Sequence, residues 1–147
     1  MAVIREGLND TEAIMNLLKL SNMVLTKRLA RKASRKAAKP MYEDWRARLK
    51  RIDRKSTPNK IWKNAAMRAR RTTKNSVGIR MGVRGGAKAY KNGGLSGGDT
   101  YYWRFLEFGT KHIRARGFTR MAFNSNVNKS AEIFRSEFKQ LLRQELD

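Results

Sequence analysis

The sequence predicts an α+β fold: a long kinked N-terminal helix and a C-terminal helix packed on a small, mainly antiparallel sheet, with a Gly-rich loop between sheet and C-terminal half. Three observations carry this. Apolar residues recur near a 3.6 period at both ends of the chain, apolar and polar residues alternate from Val77 to Val83, and glycines crowd positions 85–98. At 147 residues the chain fits one domain, residues 1–147, long enough to bury a core.

The first helix is expected from Asn9 to Lys39. Asn9 and Glu12 have capping-box spacing, and Ile14, Leu17, Leu18, Val24, Leu25, Leu29, Ala33 and Ala37 fall near one face. The stripe turns small at Ala33 and Ala37, which lets another helix approach closely. Pro40 removes a backbone donor and clashes with the preceding turn, so a kink or break is expected at Lys39, with continuation from Met41 to Ile52 carrying Trp45, Leu49 and Ile52 on one side. Ser56-Thr57-Pro58 is a helix-start signal and predicts a short helix over 59–68 with Ile61, Trp62, Ala65 and Ala66 as its apolar side. In the strand that follows, Val77, Ile79, Met81 and Val83 point one way; Arg70 to Thr73 could pair with it across a turn at Lys74-Asn75. The run from Gly85 to Gly98 reads as a flexible surface loop. A lesser reading makes it an assembly arm that orders only against neighbours, with Tyr90 as anchor and Lys88 and Lys91 as charges. The last helix is expected from about Asn126 to Glu145, with Val127, Ala131, Phe134, Phe138, Leu141 and Leu142 packing against the first.

The formal charge of +22 is unevenly spread. No acid lies between Glu12 and Glu43, nor between Asp53 and Asp99, so the cations there have no sequence-local partner. Such a field attracts polyanions and acidic surfaces. The candidate DNA-facing residues are Arg31, Lys32, Arg35 and Lys36.

Enzyme chemistry finds little to work with. The 12 acids are scattered, cysteine is absent and His112 is the sole histidine. Neither a carboxylate pair nor a His/Cys metal site can be nominated, so no catalytic residue, metal or other cofactor is expected. No apolar run is long enough to cross a bilayer, and MAVIREGLND carries no apolar signal core, so synthesis and assembly in a cytoplasm are expected, without a membrane partner or small-molecule substrate.

The most informative stretch is YYWRFLEFGTKHIRARGFTRMAF, Tyr101 to Phe123. Its first part predicts a short helix, mostly buried within the subunit or against a neighbour, capped by Asp99 and ended by Gly109 in the left-handed conformation. Glu107 is expected to pair with a cation, Arg104, Lys111 or one from a neighbouring subunit. Aromatic residues followed by Lys111, Arg114, Arg116 and Arg120 suggest a surface that grips something large.

Phe105 to Thr110, then Ala115, Arg116, Phe118, Arg120 and Ala122, followed by an amphipathic helix, resemble the tail-completion (neck) family of long-tailed bacteriophages. Prolines usual in that family near Gly117 and Met121 are absent. The resemblance implies a structural virion protein of the neck, without enzymatic activity. It would form a homo-oligomeric ring, with a hexamer favoured, and join tail to head. Its partners would be neighbouring neck and tail proteins, with packaged DNA passing the channel. On this reading Tyr101, Trp103, Phe105, Glu107, Phe108, Arg114, Arg116, Phe118 and Arg120 form protein interfaces. Two alternatives stay open from the sequence: a tail-terminator ring protein, and a sequence-independent nucleic-acid-binding protein.

Overall fold

The computed structural model describes residues 23–73, 76–85, 95 and 97–146. The architecture is α+β: two long helices lie side by side, and a two-stranded antiparallel sheet packs near one end of the pair.

Helix α1 spans Met23–Ile52. Its expected start at Asn9, with Ile14, Leu17 and Leu18, lies outside the described residues. Pro40 sits inside the helix without interrupting it, so the break considered at Lys39 does not occur. Lys50 and Arg51 in the last turn complement the negative end of the helix dipole.

The C-terminal helix spans Phe118–Leu146. It begins eight positions before the expected Asn126, because the hydrogen-bonded loop ahead of Phe118 supplies an N-terminus that composition does not reveal. It runs antiparallel to α1, with ion pairs from Arg28 to Glu145 at 3.1 Å and from Lys36 to Glu137 at 2.7 Å near one end. Trp45 Nε1 donates to Thr119 Oγ1 at 3.0 Å near the other.

Two apolar clusters hold the pair together. One joins Leu29 and Ala33 of α1 to Phe138, flanked by Leu25, Phe134, Leu141 and Leu142. Ala33 is 0% exposed, and its lack of bulk permits the close helix contact anticipated from the small-residue stripe. Val24 and Ala131 fall outside this face and are exposed. The second cluster joins Trp45 and Leu49 of α1 to Ile61, Phe118 and Ala122, and collects Met81, Val83, Trp103 and Leu106 around it. Burying each large side chain here stabilises the fold by about 1.5–3 kcal/mol before the entropy of ordering is subtracted.

The sheet departs from expectation on one side. Residues 59–68 do not form a helix: a single 3-10 turn, Ile61–Asn64, leads directly into strand β1, Ala65–Ala69. The cap signal is spent otherwise, since the Thr57 hydroxyl donates to the Arg54 carbonyl at 3.0 Å instead of accepting from a helix N–H. Strand β2, Ile79–Val83, pairs with β1 from Ala65 opposite Val83 to Ala69 opposite Ile79. The regular ladder to β2 is therefore made by 65–69, and the expected partner 70–73 pairs instead with the residues just ahead of β2. The hairpin connection continues past this ladder through Arg70 N–H to Gly78 O at 2.8 Å and Thr73 N–H to Ser76 O at 3.1 Å. The expected turn at Lys74-Asn75 lies outside the described residues. Val77 precedes the strand, while Met81 and Val83 pack on the core as the alternation predicts.

The end of the Gly-rich run is packed rather than loose. Leu95 is buried, and Asn64 clamps the residues after it. Its Oδ1 accepts from Gly97 N–H at 2.9 Å, and its Nδ2 donates to Gly98 O and Thr100 Oγ1, both at 2.8 Å. Lys60 N–H donates to Gly97 O at 2.6 Å. A Cβ on Gly97 would collide with the Lys60 carbonyl, so glycine is required there by close backbone approach. Lys88, Tyr90 and Lys91, the expected assembly arm, lie outside the described residues.

Candidate functional site: an aromatic and arginine surface

Helix α2 spans Trp103–Phe108, and α3 is the C-terminal helix Phe118–Leu146; between them runs the basic loop 109–117. Asp99 Oδ1 accepts from Tyr101 N–H at 3.3 Å, but α2 begins only at Trp103, with Tyr102 as its N-cap residue and no side-chain cap. Gly109 ends it with the expected positive φ of 79°, but its ψ of 173° is extended rather than left-handed helical, and its N–H donates to Phe105 O at 2.9 Å. A Cβ there would lie 2.8 Å from both Ile113 O and Ala115 N, so no other residue fits the turn.

The basic loop is built by hydrogen bonds. Thr110 Oγ1 accepts from His112 N–H at 3.2 Å and Ile113 N–H at 3.1 Å, and Thr110 N–H donates to Ile113 O at 2.8 Å. Arg116 N–H donates to Leu106 O at 2.9 Å and Gly117 N–H to Glu107 O at 3.1 Å. A proline at 117 would delete the last of these bonds. With its backbone tied down, the loop turns Lys111, His112, Arg114 and Arg116 outward, and all are exposed.

Glu107 is 6% exposed, yet no ion pair among the described residues involves it. Its Oε2 accepts from Thr119 N–H at 3.0 Å. The carboxylate caps the start of α3, where unpaired N–H groups and the positive end of the dipole favour negative charge. This corrects the expected pairing with Arg104 or Lys111: the positive partner is a helix terminus, which sequence spacing cannot show. Glu107→Gln should lower the unfolding free energy by about 1–2 kcal/mol through loss of the charge-assisted bond, measured by urea titration. An unchanged midpoint would remove the capping role.

The aromatic residues around this cap divide. Phe118 is 1% exposed and belongs to the core beside Trp45. It is therefore not an interface residue of the kind its place among cations suggested. Trp103 is half-buried against the same cluster, and Tyr102, also half-buried, has its hydroxyl pushed above the ordinary pKa of 10.0 by desolvation and then by the charge of Asp53. By contrast Tyr101, Phe105 and Phe108 are exposed, Phe108 by 74%. Burial of the short helix within the subunit is therefore only partial, because six residues cannot turn every large side chain toward one core, and Tyr101, Phe105 and Phe108 remain open to a neighbour.

Tyr101 and Phe105 meet edge to face with ring centroids 6.4 Å apart. Phe108 lines a groove of about 300 Å³ with Glu107, Ala115, Arg116, Gly117, Arg120 and Met121. A neighbouring shallow depression shares Ala115 and Arg116 and adds His112, Ile113 and Arg114. Exposed apolar surface thus borders a set of guanidinium groups. Arginine and aromatic side chains together mark the centres of protein interfaces. Sequence reading nominated Phe108, Arg114, Arg116 and Arg120 but missed Met121, whose exposure follows from the early start of α3.

The four basic residues nominated on α1 are exposed. Lys36 is committed to Glu137, and Arg31 donates to the Thr72 hydroxyl. Among the described residues no cluster of three or more His, Cys, Asp or Glu could hold a metal ion, and no helix is long and apolar enough to cross a membrane. No protein-family model, curated protein or solved structure matches the chain.

Proposed function

We propose that this chain is a structural joining protein of a bacteriophage neck. It self-associates into a ring that completes the tail and links it to the head, assembling in the host cytoplasm and residing in the virion. The reading rests on the resemblance of residues 105–122 to the tail-completion family. The single structural observation that supports it best is the exposed Phe108 beside Arg116 and Arg120, in a groove whose wall is braced by the Glu107 cap. An exposed aromatic flanked by arginines on a fixed loop is costly to leave in water and well suited to a partner surface. The hydrogen-bonded loop also keeps the entropic cost of docking low. A hexameric ring is the expected assembly.

Native mass spectrometry and electron microscopy of the purified full chain test this, together with an assay joining heads to tails. The wild type should form rings and restore joining. Phe108→Ala combined with Arg116→Gln should weaken subunit or neighbour association by about 2 kcal/mol or more, roughly thirtyfold, with the Tm of the monomer unchanged. A chain that stays monomeric under all conditions, or a double variant that joins normally, would overturn the reading.

A further inference from the structure

A second surface gathers charge in a different way. Trp62, in the 3-10 turn, is half-buried against the core, and its backbone N–H donates to Asp53 Oδ2 at 3.0 Å. Three cations converge on its ring: Arg46 Cζ lies 5.0 Å from the centroid, Lys50 Nζ 5.4 Å and Lys63 Nζ 5.9 Å. Arg46 and Lys50 stand one turn apart on α1, and neither forms an ion pair among the described residues. The electron-rich faces of the indole offset part of the mutual repulsion of these charges and hold them in one place. The chain between α1 and the turn adds Arg54, Lys55 and Lys60, and Lys60 Nζ folds back to the Arg54 and Lys55 carbonyls.

We infer that Trp62 with Arg46, Lys50 and Lys63 is a docking site for the phosphate backbone of nucleic acid, read without regard to sequence. Charge complementarity selects a polyanion. The kind of polyanion follows from what the patch lacks. Among the described residues, none of the large exposed apolar side chains, Val24, Tyr101, Phe105, Phe108, Ile113, Met121 and Phe123, falls between Arg46 and Lys63. A protein interface needs an apolar centre; a phosphate contact needs only placed cations. Because the three charges sit over the ring faces, base stacking on the indole is blocked and backbone contact remains. The Trp62 platform is anchored to the core and to Asp53, so it is organised before the ligand arrives.

The test measures binding of two unrelated labelled duplex DNA sequences to the full chain across a range of NaCl, with polyglutamate as a parallel probe. Wild type should bind both duplexes equally, with affinity falling steeply with salt. Arg46→Gln with Lys50→Gln should reduce the log–log salt slope by about two units, and adding Lys63→Gln by about one more. These are surface substitutions, and an unchanged Tm confirms folding. Arg116→Gln with Arg120→Gln should leave the slope intact. An unchanged slope in the triple variant overturns the proposal, as does loss of polyglutamate binding with DNA binding preserved, which would assign the patch to an acidic protein. Ring formation is read separately, so failure here is distinguishable from failure of the neck assignment.

Discussion

Phe118→Ala should lower the unfolding free energy by about 3–5 kcal/mol, because it removes a ring that is 1% exposed and leaves a cavity between α1 and α3. At this chain length the melting temperature should fall by roughly 10 °C. The cavity would border Trp45, Leu49, Ile61 and Ala122, which come from three separate segments, so local collapse cannot fill it cheaply. Phe118 is also the first residue of α3, one position before the Thr119 N–H that Glu107 caps. In the monomeric chain, the same truncation at Phe108, which is 74% exposed, should change stability by less than about 0.5 kcal/mol. Thermal unfolding of both variants side by side measures the contrast. Equal losses would mean that Phe108 is buried in solution by a neighbouring subunit, and equal indifference would mean that Phe118 has been misplaced.

The second large effect is expected at Asn64. Replacing it with Ala leaves the Gly97 N–H, the Gly98 carbonyl and the Thr100 hydroxyl each short of a partner. Asn64 and Thr100 are both buried, so water replaces those bonds only at the cost of opening the site. The loss should be about 2–4 kcal/mol, since each stranded polar group costs about 1–3 and the strap can partly rehydrate. Hydrogen exchange gives a sharper readout than melting. The Gly97 amide should exchange much faster in Asn64→Ala than in wild type, while amides in the middle of α1 should follow only the global change. If exchange at Gly97 is as slow as before, the clamp is held by Lys60 N–H to Gly97 O and by Asn59 Nδ2 to Asp99 O, and Asn64 is dispensable.

These two positions also show where sequence reading reaches and where it ends. The paired helices were legible because burial of one face imposes a repeat: Leu25, Leu29, Ala33 and Ala37 on one helix, Phe134, Phe138 and Leu141 on the other. Strand β2 was legible for the same reason at period two, and Gly109 because few other residues tolerate its positive φ. Residues 59–68 were misread because a proline after a hydroxyl fits a turn as well as a helix start. Whether Thr57 accepts from a helix N–H or donates to Arg54 depends on where the end of α1 lies. Asn64 carried no signal at all, since its partners lie 33 to 36 positions away.

Among the site residues, the sequence determined that aromatic side chains and arginines occur together from Tyr101 to Phe123. It could not sort them. Phe105, Phe108 and Phe118 are the same residue type among similar neighbours, yet one lies in the core and two face solvent. That division is made by the direction in which α2 leaves Thr100 and by the loop that returns the chain to α3. Glu107 is the same case in electrostatic form: its partner is the start of a helix eleven residues on, an N-terminus that exists only once α3 has formed. The charge of +22 was a property of composition alone. Its concentration around Trp62 was decided by tertiary structure, because Arg46 and Lys50 meet Lys63 only after the chain has turned back beyond α1 and docked the indole against the core.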